Sequence, residues 1–546
     1  MTDQAPGITL EGILGEALRR SAERRLKEVD YDQLVEPFRL RSEDDGAWRC
    51  EFWGKIVRSA ILTNYYLRDP ELAAMIERTV KDLMATQTAD GCVSTYPENK
   101  QPQGWDIWGR KYALLGLLRY YDLVAPDPQV KTCCAGIVDH LITQVGPGKL
   151  DITACGRHLG LAASSILGAV VGVYRITKEP RFLDYARWIV SRGCSSDGDI
   201  FAAARAGTPP VKIGNAKAYE MTSCFQGLSE LWELDPRPEY RQSVERYYDL
   251  VRDRELFVTG GAGLGDRWGE YWGEGASRLV CPAPREGLGE TCVTVTWLRY
   301  CSRLVRSDSK IPGIADEVEK TCYNALLGAM APDGTHWAHV NPTPLTGGGF
   351  RSWANDQIEL GFHTPYGGND CCRAQGPEGL ALAPWFALRR NGNSETLNFY
   401  EPMTTPRFEV KGNYPVDDTA EVRITAGGEY VLKLRIPGFT QSVKLNGAAQ
   451  NFTPGSYLEL KRDWRPNDRV TLEFDFTIRE VPVRCPCGTG FFAYKRGPLV
   501  LAADSRGAAV PNARVEVRHN GLDLVDYASA GNAFSPDNTL TVLFKK

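Results

Sequence analysis

Up to about residue 390, apolar positions recur at the three- and four-residue spacing of an amphipathic helix. The connecting stretches differ greatly in length and no motif of constant period is present, which argues against an open solenoid. Helices joined as six concentric pairs fit the pattern better, so we expect an (α/α)₆ barrel. About twelve helices are predicted, over residues 10–28, 53–67, 70–88, 106–123, 129–145, 159–176, 180–193, 217–234, 238–254, 289–306, 313–330 and 376–390.

After about residue 395 the apolar positions alternate with polar ones, which is typical of half-buried strands. Turn residues separate the alternating segments, and many short strands at this spacing predict a β-sandwich. The tail from Gly497 onward is expected to add strands. The fold class is therefore mainly α with β: a catalytic barrel over residues 1–392 and a β-sandwich domain over 393–546. The clearest strands are predicted over 397–400, 421–425, 430–436, 442–445, 457–461 and 470–476.

Composition narrows the function classes. Among 546 residues, 43% are hydrophobic and 24% charged, which is ordinary for a soluble globular protein. The net charge of −4 gives no basic excess for a nucleic-acid backbone. No signal peptide is visible at the N-terminus, and the longest apolar stretch, 159–174, is too short and polar to cross a bilayer. We therefore expect a cytoplasmic protein with no nucleic-acid or membrane partner.

The cysteines include a candidate metal site. Their number, 15, is odd, which makes a disulfide framework unlikely in so long a chain. Glu290 and Cys292 open one predicted helix, while Cys371 and Cys372 lie in a loop before the helix predicted at Pro377. Three thiolates and a carboxylate are competent zinc ligands. Vicinal cysteines are nevertheless a poor structural-zinc signature, so the spacing alone leaves free buried cysteines as the alternative.

Two glutamates flank aromatic residues in the loop segment Gly269-Glu-Tyr-Trp-Gly-Glu274. A carboxyl group packed against Trp or Tyr has a raised pKa because burial penalises its charged form, and this suits a general acid. A solvated loop with aromatic packing explains the same residues equally well. Glu270 and Glu274 are therefore both candidates.

Other residues are candidates for binding a substrate. Trp105 and Trp108 stand at a predicted helix start, where they can line the mouth of a pocket. His336 and His339 form an H-x-x-H pair, but on a strand these positions point to opposite faces. Of the two, His339 is the more interesting because Asn341-Pro342 follows it.

The chain contains a series of distinctive segments, which are in order GEYWGE, GETC, EKTCYNALLGAM with PDGTHWAHVNP, NDCCRAQGPEGLAL, LNFYEP, LKLRIPGF and KRGPLVLA. Taken in this order, the segments resemble glycoside hydrolase family 127, the β-L-arabinofuranosidase family. The resemblance extends from about Trp105 to Asp504, and GETC followed much later by CC is specific in combination. It implies an (α/α)₆ barrel with β-sandwich domains behind it.

The resemblance also implies roles for single residues. Zn²⁺ would be bound by a glutamate and three cysteines, which are here Glu290, Cys292, Cys371 and Cys372. Cys371 would be the nucleophile. The acid/base glutamate matches Glu270 by its local motif, while the usual interval to the Glu-x-Cys glutamate points instead to Glu274, since an insertion is inferred around 281–284.

The chain departs from the family at its sugar-binding histidines. One is replaced in the segment Trp105-Asp-Ile-Trp108 and another in Lys217-Ala-Tyr-Glu-Met-Thr222. The substrate-binding residues predicted here are Trp105, Trp108, Tyr219 and His339.

The resulting hypothesis is an exo-acting, retaining glycoside hydrolase that releases a terminal furanose or related sugar, with β-L-arabinofuranoside as the best guess. The partner would be an oligosaccharide or glycoside, and a homodimer is left open. The alternatives are a glycosidase of the same family acting on another sugar, a sugar epimerase or lyase, and a non-catalytic carbohydrate-binding scaffold with a structural zinc.

Overall fold

The computed structural model describes ten stretches of the chain. They are residues 7–44, 47–263, 269–274, 288–306, 311, 313–341, 352–353, 370–483, 490–533 and 538–546.

The helical N-terminal part and the strand-rich C-terminal part predicted from the sequence are confirmed. Each of the twelve predicted helices has a counterpart, while three helices were missed: α2 (Tyr31–Leu40), α10 (Ile200–Arg205) and α17 (Tyr527–Asn532). Pro37 interrupts the spacing in α2, and α10 has only six residues. The helices are α1 Ile13–Ser21, α2 Tyr31–Leu40, α3 Phe52–Leu67, α4 Pro70–Met84, α5 Asp106–Leu123, α6 Pro128–Gln144, α7 Leu161–Ser164, α8 Leu167–Thr177, α9 Pro180–Ser191, α10 Ile200–Arg205, α11 Ala218–Trp232, α12 Pro238–Arg254, α13 Thr291–Arg306, α14 Ile314–Thr321, α15 Leu327–Ala329, α16 Cys371–Ala387 and α17 Tyr527–Asn532. Five-residue π-helical segments follow α1 and α14, at Ala22–Leu26 and Cys322–Leu326.

Helix α16 begins earlier than predicted, so the expectation that Cys371 and Cys372 lie in a loop is wrong. Asp370 is the N-cap, and its carboxylate accepts hydrogen bonds from the backbone N–H groups of Cys372 (2.7 Å) and Arg373 (2.9 Å). Pro377 lies inside the helix and cannot donate to the carbonyl of Arg373, four residues earlier. Arg25 Nε donates to that carbonyl instead, at 3.2 Å, and thereby helps the helix to continue through the proline.

The described residues contain twenty-one strands, which form four sheets. The strands are β1 Thr9–Leu10, β2 Leu288–Glu290, β3 Ala338–Asn341, β4 Ser352–Trp353, β5 Leu388–Asn391, β6 Ser394–Leu397, β7 Met403–Thr404, β8 Phe408–Gly412, β9 Thr419–Ile424, β10 Gly428–Arg435, β11 Val443–Leu445, β12 Ala448–Ala449, β13 Tyr457–Trp464, β14 Arg469–Phe474, β15 Arg479–Val483, β16 Phe491–Arg496, β17 Leu499–Asp504, β18 Glu516–His519, β19 Leu522–Asp526, β20 Leu540–Thr541 and β21 Phe544–Lys545. One seven-stranded sheet has the order β1-β7-β8-β9-β14-β11-β12, a four-stranded sheet has the order β13-β10-β6-β5, and a small sheet has the order β2-β3-β4. In the remaining sheet, of order β15-β16-β17-β19-β18, β20 pairs with β17 and β21 pairs with β16.

The helical and strand-rich parts share a hydrophobic core and a buried ion pair. Arg435 of β10 is 1% exposed, and its Nη2 lies 2.6 Å from Oε2 of Glu319 in α14. The hydroxyl of Tyr414 donates to the other oxygen of Glu319 at 2.7 Å. Because burial of unpaired charge is costly, these contacts fix how β10 lies against α14. The predicted boundary at residue 392 falls in the turn of the hairpin β5–β6.

Two further observations concern the described residues alone. Their twelve cysteines are all free thiols. None of the helices traced in these stretches combines the length and apolar character that crossing a bilayer would need.

Candidate active site

The cysteine pair stands at the positive end of α16. A helix N-terminus favours negative charge and therefore favours thiolates. The two side chains differ in exposure: Cys372 is buried, whereas Cys371 is partly exposed. Of the pair, Cys371 is therefore the thiol that an incoming molecule can reach.

Glu290 and His339 reach the same point from two paired strands. Glu290 ends β2 and lies opposite Val340 of β3, next to His339. The sulfur of Cys372 is 3.6 Å from Oε1 of Glu290 and 3.6 Å from Nδ1 of His339. The sulfur of Cys371 lies 3.8 Å from each of the same two atoms and from the sulfur of Cys372. One donor atom from each of these four residues lies within 4.8 Å of the others.

These spacings fit a tetrahedral metal site. With bonds of ~2.3 Å to sulfur and ~2.0–2.2 Å to nitrogen or oxygen, the ligand atoms of tetrahedral zinc lie about 3.4–3.8 Å apart. The donor chemistry also fits, because thiolate and imidazole together select zinc over magnesium or calcium. The group has the composition and spacing that a zinc ion requires.

The electrostatics of the group also favour a cation. Burial first, and then the charge of Cys371, raise the pKa of Glu290 well above its ordinary value. Interaction with Cys292 is the main cause that raises the pKa of Cys371 to about 12. Acidic groups this close together are difficult to ionise at the same time, because their negative charges repel one another. A bound divalent cation offsets this repulsion and favours the ionised forms.

Cys292 is close to this group but is not one of the four. It is the second residue of α13, it is 2% exposed, and its sulfur lies 3.7 Å from Nζ of Lys55. Burial opposes ionisation of Cys292, yet its pKa is lowered by the thiols of Cys371 and Cys372 and by the Lys55 ammonium.

Glu270 is held in an ion pair. Lys217, which precedes α11, donates from Nζ to Oε2 of Glu270, and its ammonium also lies over the ring of Tyr271. Burial tends to raise the pKa of Glu270, but Lys217 and then His339 outweigh it, and the pKa is lowered. The expected raised pKa at Glu270 is therefore wrong, because the aromatic loop also brings in a cation.

Glu274 faces a different neighbour. Its Oε1 lies 3.6 Å from Nη1 of Arg254, at the end of α12, and its backbone N–H donates to Glu255 at 2.8 Å. Both side chains of the Arg254 pair are more than a third exposed. The inferred insertion around 281–284 lies outside the described residues.

The predicted aromatic residues lie close to one another. Trp105 is partly exposed and its ring lies 5.6 Å from that of Trp108 and 5.4 Å from that of His158. Trp108 is buried and donates to Oε2 of Glu51 at 2.7 Å. Tyr219 is also buried and donates to Oε1 of Gln375 at 2.6 Å. Of these three predicted binding residues, Trp105 is the most accessible.

Sequence reasoning missed two cations of this region and underrated a histidine. Lys55 and Lys217 contact Cys292 and Glu270, although nothing in their spacing marks them. His158 adopts a left-handed backbone conformation with φ of 58° between two helices, and its Nε2 lies 3.7 Å from Oε1 of Glu220. Its position between Gly156 and Gly160 is the one sequence signal for an unusual turn.

Comparison with known protein families assigns this chain to a class of sugar-cleaving enzymes. The profile described as the β-L-arabinofuranosidase, GH127 catalytic domain matches residues 14–384, and that of the GH127 middle domain matches 403–476. This chain belongs to glycoside hydrolase family 127, as its motifs predicted.

Individual relatives agree with this assignment. A non-reducing end β-L-arabinofuranosidase of Bifidobacterium longum subsp. longum is 22% identical over 86% of this chain and 77% of its own length. The crystal structure of a GH127 β-L-arabinofuranosidase from Geobacillus stearothermophilus T6 has a TM-score of 0.73 at 16% identity, covering 98% of this chain and 99% of the other. A GH127 β-arabinofuranosidase structure has a TM-score of 0.76 at 17% identity, covering 100% and 97%. At these identities the structures show the shared fold.

Proposed function

We propose that this protein is an exo-acting, retaining β-L-arabinofuranosidase that uses Cys371 as its nucleophile beside a bound zinc ion. The observation that carries the proposal is the difference between the two adjacent thiols. Cys371 is accessible at the start of α16, whereas Cys372 is buried among the same donor atoms. The family membership and the name of the Bifidobacterium relative support the sugar. An (α/α)₆ barrel and a β-sandwich remain the architecture that we expect.

Glu290, Cys371 and Cys372 would hold the metal, with a fourth donor from either Cys292 or His339. When bound, zinc keeps coordinated thiols in the thiolate form at neutral pH. A free cysteine, by contrast, has a pKa near ~8.5 and is mostly protonated there.

The protein groups would then divide the reaction into two steps. In the first, the Cys371 sulfur bonds to the anomeric carbon, the bond to the leaving oxygen breaks, and that oxygen takes a proton from Glu270. In the second, Glu270 removes a proton from water, the water oxygen bonds to the anomeric carbon, and the carbon–sulfur bond breaks. Two displacements at one carbon give net retention.

The ion pair with Lys217 suits the second step directly, because it holds Glu270 as the carboxylate that activates water. The first step needs the protonated form, so its rate is expected to depend on the fraction of Glu270 that carries a proton. Glu274, paired with Arg254 at the end of α12, is the alternative acid/base residue.

The test is a trapped adduct. A furanose-configured electrophilic probe, such as a cyclophellitol analogue, is expected to label Cys371, as located by peptide mass spectrometry. Proton NMR of the first product formed from an aryl β-L-arabinofuranoside is expected to show retained configuration. Inverted product, or an adduct on a carboxylate, would contradict the proposal.

One observation favours a second candidate, a carbohydrate-binding scaffold with a structural metal. The four donors Glu290, His339, Cys371 and Cys372 suffice to fill a tetrahedral shell, as in structural zinc sites. A panel of aryl furanosides and pyranosides separates the two, because the scaffold would bind sugar without turnover.

A further inference from the structure

We propose that the groove around Tyr457, on the four-stranded sheet β13-β10-β6-β5, is a second carbohydrate-binding site that takes a neutral carbohydrate chain. The site is separate from the candidate active site. The proposal goes beyond the proposed function and uses no part of its mechanism, since it requires only that the protein meets carbohydrate as a member of its family.

Tyr457 begins β13, an edge strand of this sheet, and lines two cavities. Each cavity has a volume of about 370 Å³, within the ~300–1,000 Å³ range of small-molecule sites. At 40% exposed, Tyr457 is the most exposed aromatic residue in the part of the chain that the structure describes. Its hydroxyl donates to Oδ1 of the buried Asn398 at 2.6 Å, which holds the ring in place. A ring that is already fixed loses little freedom when a ligand packs against it.

The first cavity combines polar and apolar lining. Glu459, Lys433, Thr396 and Arg389 lie opposite one another across the four strands, so their side chains share one face of the sheet. A sugar ring has a matching character, because its C–H groups are apolar and its hydroxyls both donate and accept hydrogen bonds. The apolar lining comes from the end of α13 and from the segment that leads into α14: Leu304, Val305, Ile311 and Ile314.

The second cavity adds hydrogen-bonding groups that carry no charge. Gln450, Asn451, Thr453 and Ser456 line it together with Tyr457. Asn451 and Thr453 are exposed. An amide or hydroxyl side chain offers both a donor and an acceptor, which is what the hydroxyl groups of a sugar require. The two cavities thus place uncharged and charged polar groups beside one fixed aromatic ring.

The charges of the groove are already partnered, which favours a neutral ligand. Nζ of Lys433 lies 2.5 Å from Oε1 of Glu459, and Nη1 of Arg435 lies 2.5 Å from Oδ1 of Asp316. Arg389 donates to two carbonyls of the last turn of α13, at 2.8 and 3.3 Å, where a helix end favours positive charge. A charged ligand would have to compete with these contacts, whereas hydroxyl groups can hydrogen-bond to the paired side chains.

The groove lies away from the candidate active site. Helix α13 carries Cys292 near its N-terminus and Leu304, which lines the first cavity, near its C-terminus. Twelve residues separate the two, so at ~1.5 Å per residue their backbones are about 18 Å apart. One sugar residue therefore cannot occupy both places, and the groove can hold a carbohydrate chain while the active site is free.

The experiment is affinity electrophoresis of the full-length protein in native gels that contain arabinan, xylan, galactan or glucomannan. At least one of these neutral polysaccharides is expected to retard the protein. Tyr457→Ala is expected to weaken that binding about tenfold or more, as measured from the dependence of mobility on polysaccharide concentration. Tyr457→Phe keeps the ring and should retain most of the binding.

Two further variants make the result specific. Asn451→Ala, at an exposed residue of the second cavity, is expected to weaken the same binding, and it tests the groove even if Tyr457→Ala fails to fold. Tyr174→Ala, at a partly exposed tyrosine of α8, is the matched control and should bind as the unaltered protein does. The melting temperature of each variant shows whether it is folded.

The proposal is overturned if none of the neutral polysaccharides retards the unaltered protein, or if folded Tyr457→Ala is retarded equally. Retardation by polygalacturonate alone would also overturn it, because the ligand would then be charged. These outcomes are distinct from those for the proposed function. Labelling of Cys371 should be unchanged in Tyr457→Ala, and a protein without turnover can still bind a polysaccharide through the groove.

Discussion

Lys217 and Glu270 form an ion pair whose position is set by the backbone. The N–H of Ala218, beside Lys217, donates to the carbonyl of Glu270 at 3.0 Å, and the N–H of Trp272 donates to the carbonyl of Ala216 at 2.8 Å. The two segments thus run together as a short antiparallel bridge, which aligns the two side chains. The backbone at the start of α11 therefore positions the Lys217 ammonium that favours the charged form of Glu270, the candidate acid/base residue.

Lys217→Met is expected to move the pH dependence of catalysis. Removing the ammonium raises the pKa of Glu270, because the lysine is a principal cause that lowers it. The protonated fraction then persists to higher pH, so the descending limb of kcat/KM should shift to higher pH. Lys212→Met, at an exposed lysine nearby, is the control. If the descending limb of kcat/KM does not shift in Lys217→Met, a group other than Glu270 controls it.

Cys371→Ser is expected to reduce turnover by ~10³-fold or more, because a hydroxyl is a far weaker nucleophile than a thiolate. Steady-state kinetics with an aryl furanoside measure this. A zinc assay on the same preparation is needed, since losing one ligand also weakens metal binding. Cys301→Ser, buried in α13, controls for the removal of a thiol. Substantial turnover by Cys371→Ser would rule out this nucleophile.

Glu270→Gln is expected to lower turnover by about 10²–10⁴-fold on substrates with poor leaving groups, which depend most on protonation. Substrates with good leaving groups should retain more of the first step. Glu274→Gln is the natural comparison, and we expect little effect because Glu274 pairs with Arg254. If Glu274→Gln lowers turnover more than Glu270→Gln does, Glu274 is the acid/base residue.

Glu401 is expected to make global stability depend on pH. It is fully buried, and burial raises its pKa to about 7, although the N–H groups of Leu14 (2.9 Å) and Gly15 (3.0 Å) and the Tyr323 hydroxyl (2.9 Å) donate to it. Between pH 4.5, its ordinary value, and about 7, the folded state holds a proton that the unfolded state has lost. Stability is therefore full below pH 4.5 and falls as pH rises through this window, by up to about 3 kcal/mol.

Glu401→Gln should flatten this dependence, because an amide does not titrate. Chemical denaturation from pH 4.5 to 7.5 measures this dependence, and Glu98→Gln, at an exposed glutamate of another segment, should retain the slope. An unchanged slope in Glu401→Gln would assign the effect to another group.

Gly376→Ala is expected to disturb both stability and the metal site. The added methyl would overlap the ring of Trp337 at 2.3 Å, and overpacking of this kind costs about 1–3 kcal/mol. If β3 moves away to relieve the overlap, His339 moves with it, so zinc affinity should fall as well. Gly146→Ala, whose Cβ would meet its nearest atom at 3.8 Å, is the control. If Gly376→Ala changes neither the melting temperature nor the zinc affinity, β3 does not pack tightly against α16.

The sequence by itself determined the order of the elements. The helical spacing of apolar positions predicted most of the helices, and the alternation of apolar and polar positions predicted strands such as β10 and β14. Burial of one face of a helix or strand imposes these spacings directly on the sequence. The motifs likewise determined the family and marked Glu290, Cys371 and Cys372. Local rules failed at α16, where Pro377 suggested a helix start but Asp370 caps the helix earlier.

The tertiary structure alone decided how the site is completed. His339 joins the cysteine pair because Gly376 lets β3 approach α16, and Lys55 reaches Cys292 from a helix far away in the chain. Lys217 likewise reverses the pKa shift that the aromatic loop predicted for Glu270. Such contacts join residues distant in sequence, and burial and charge act through space, so no periodicity or motif spacing records them.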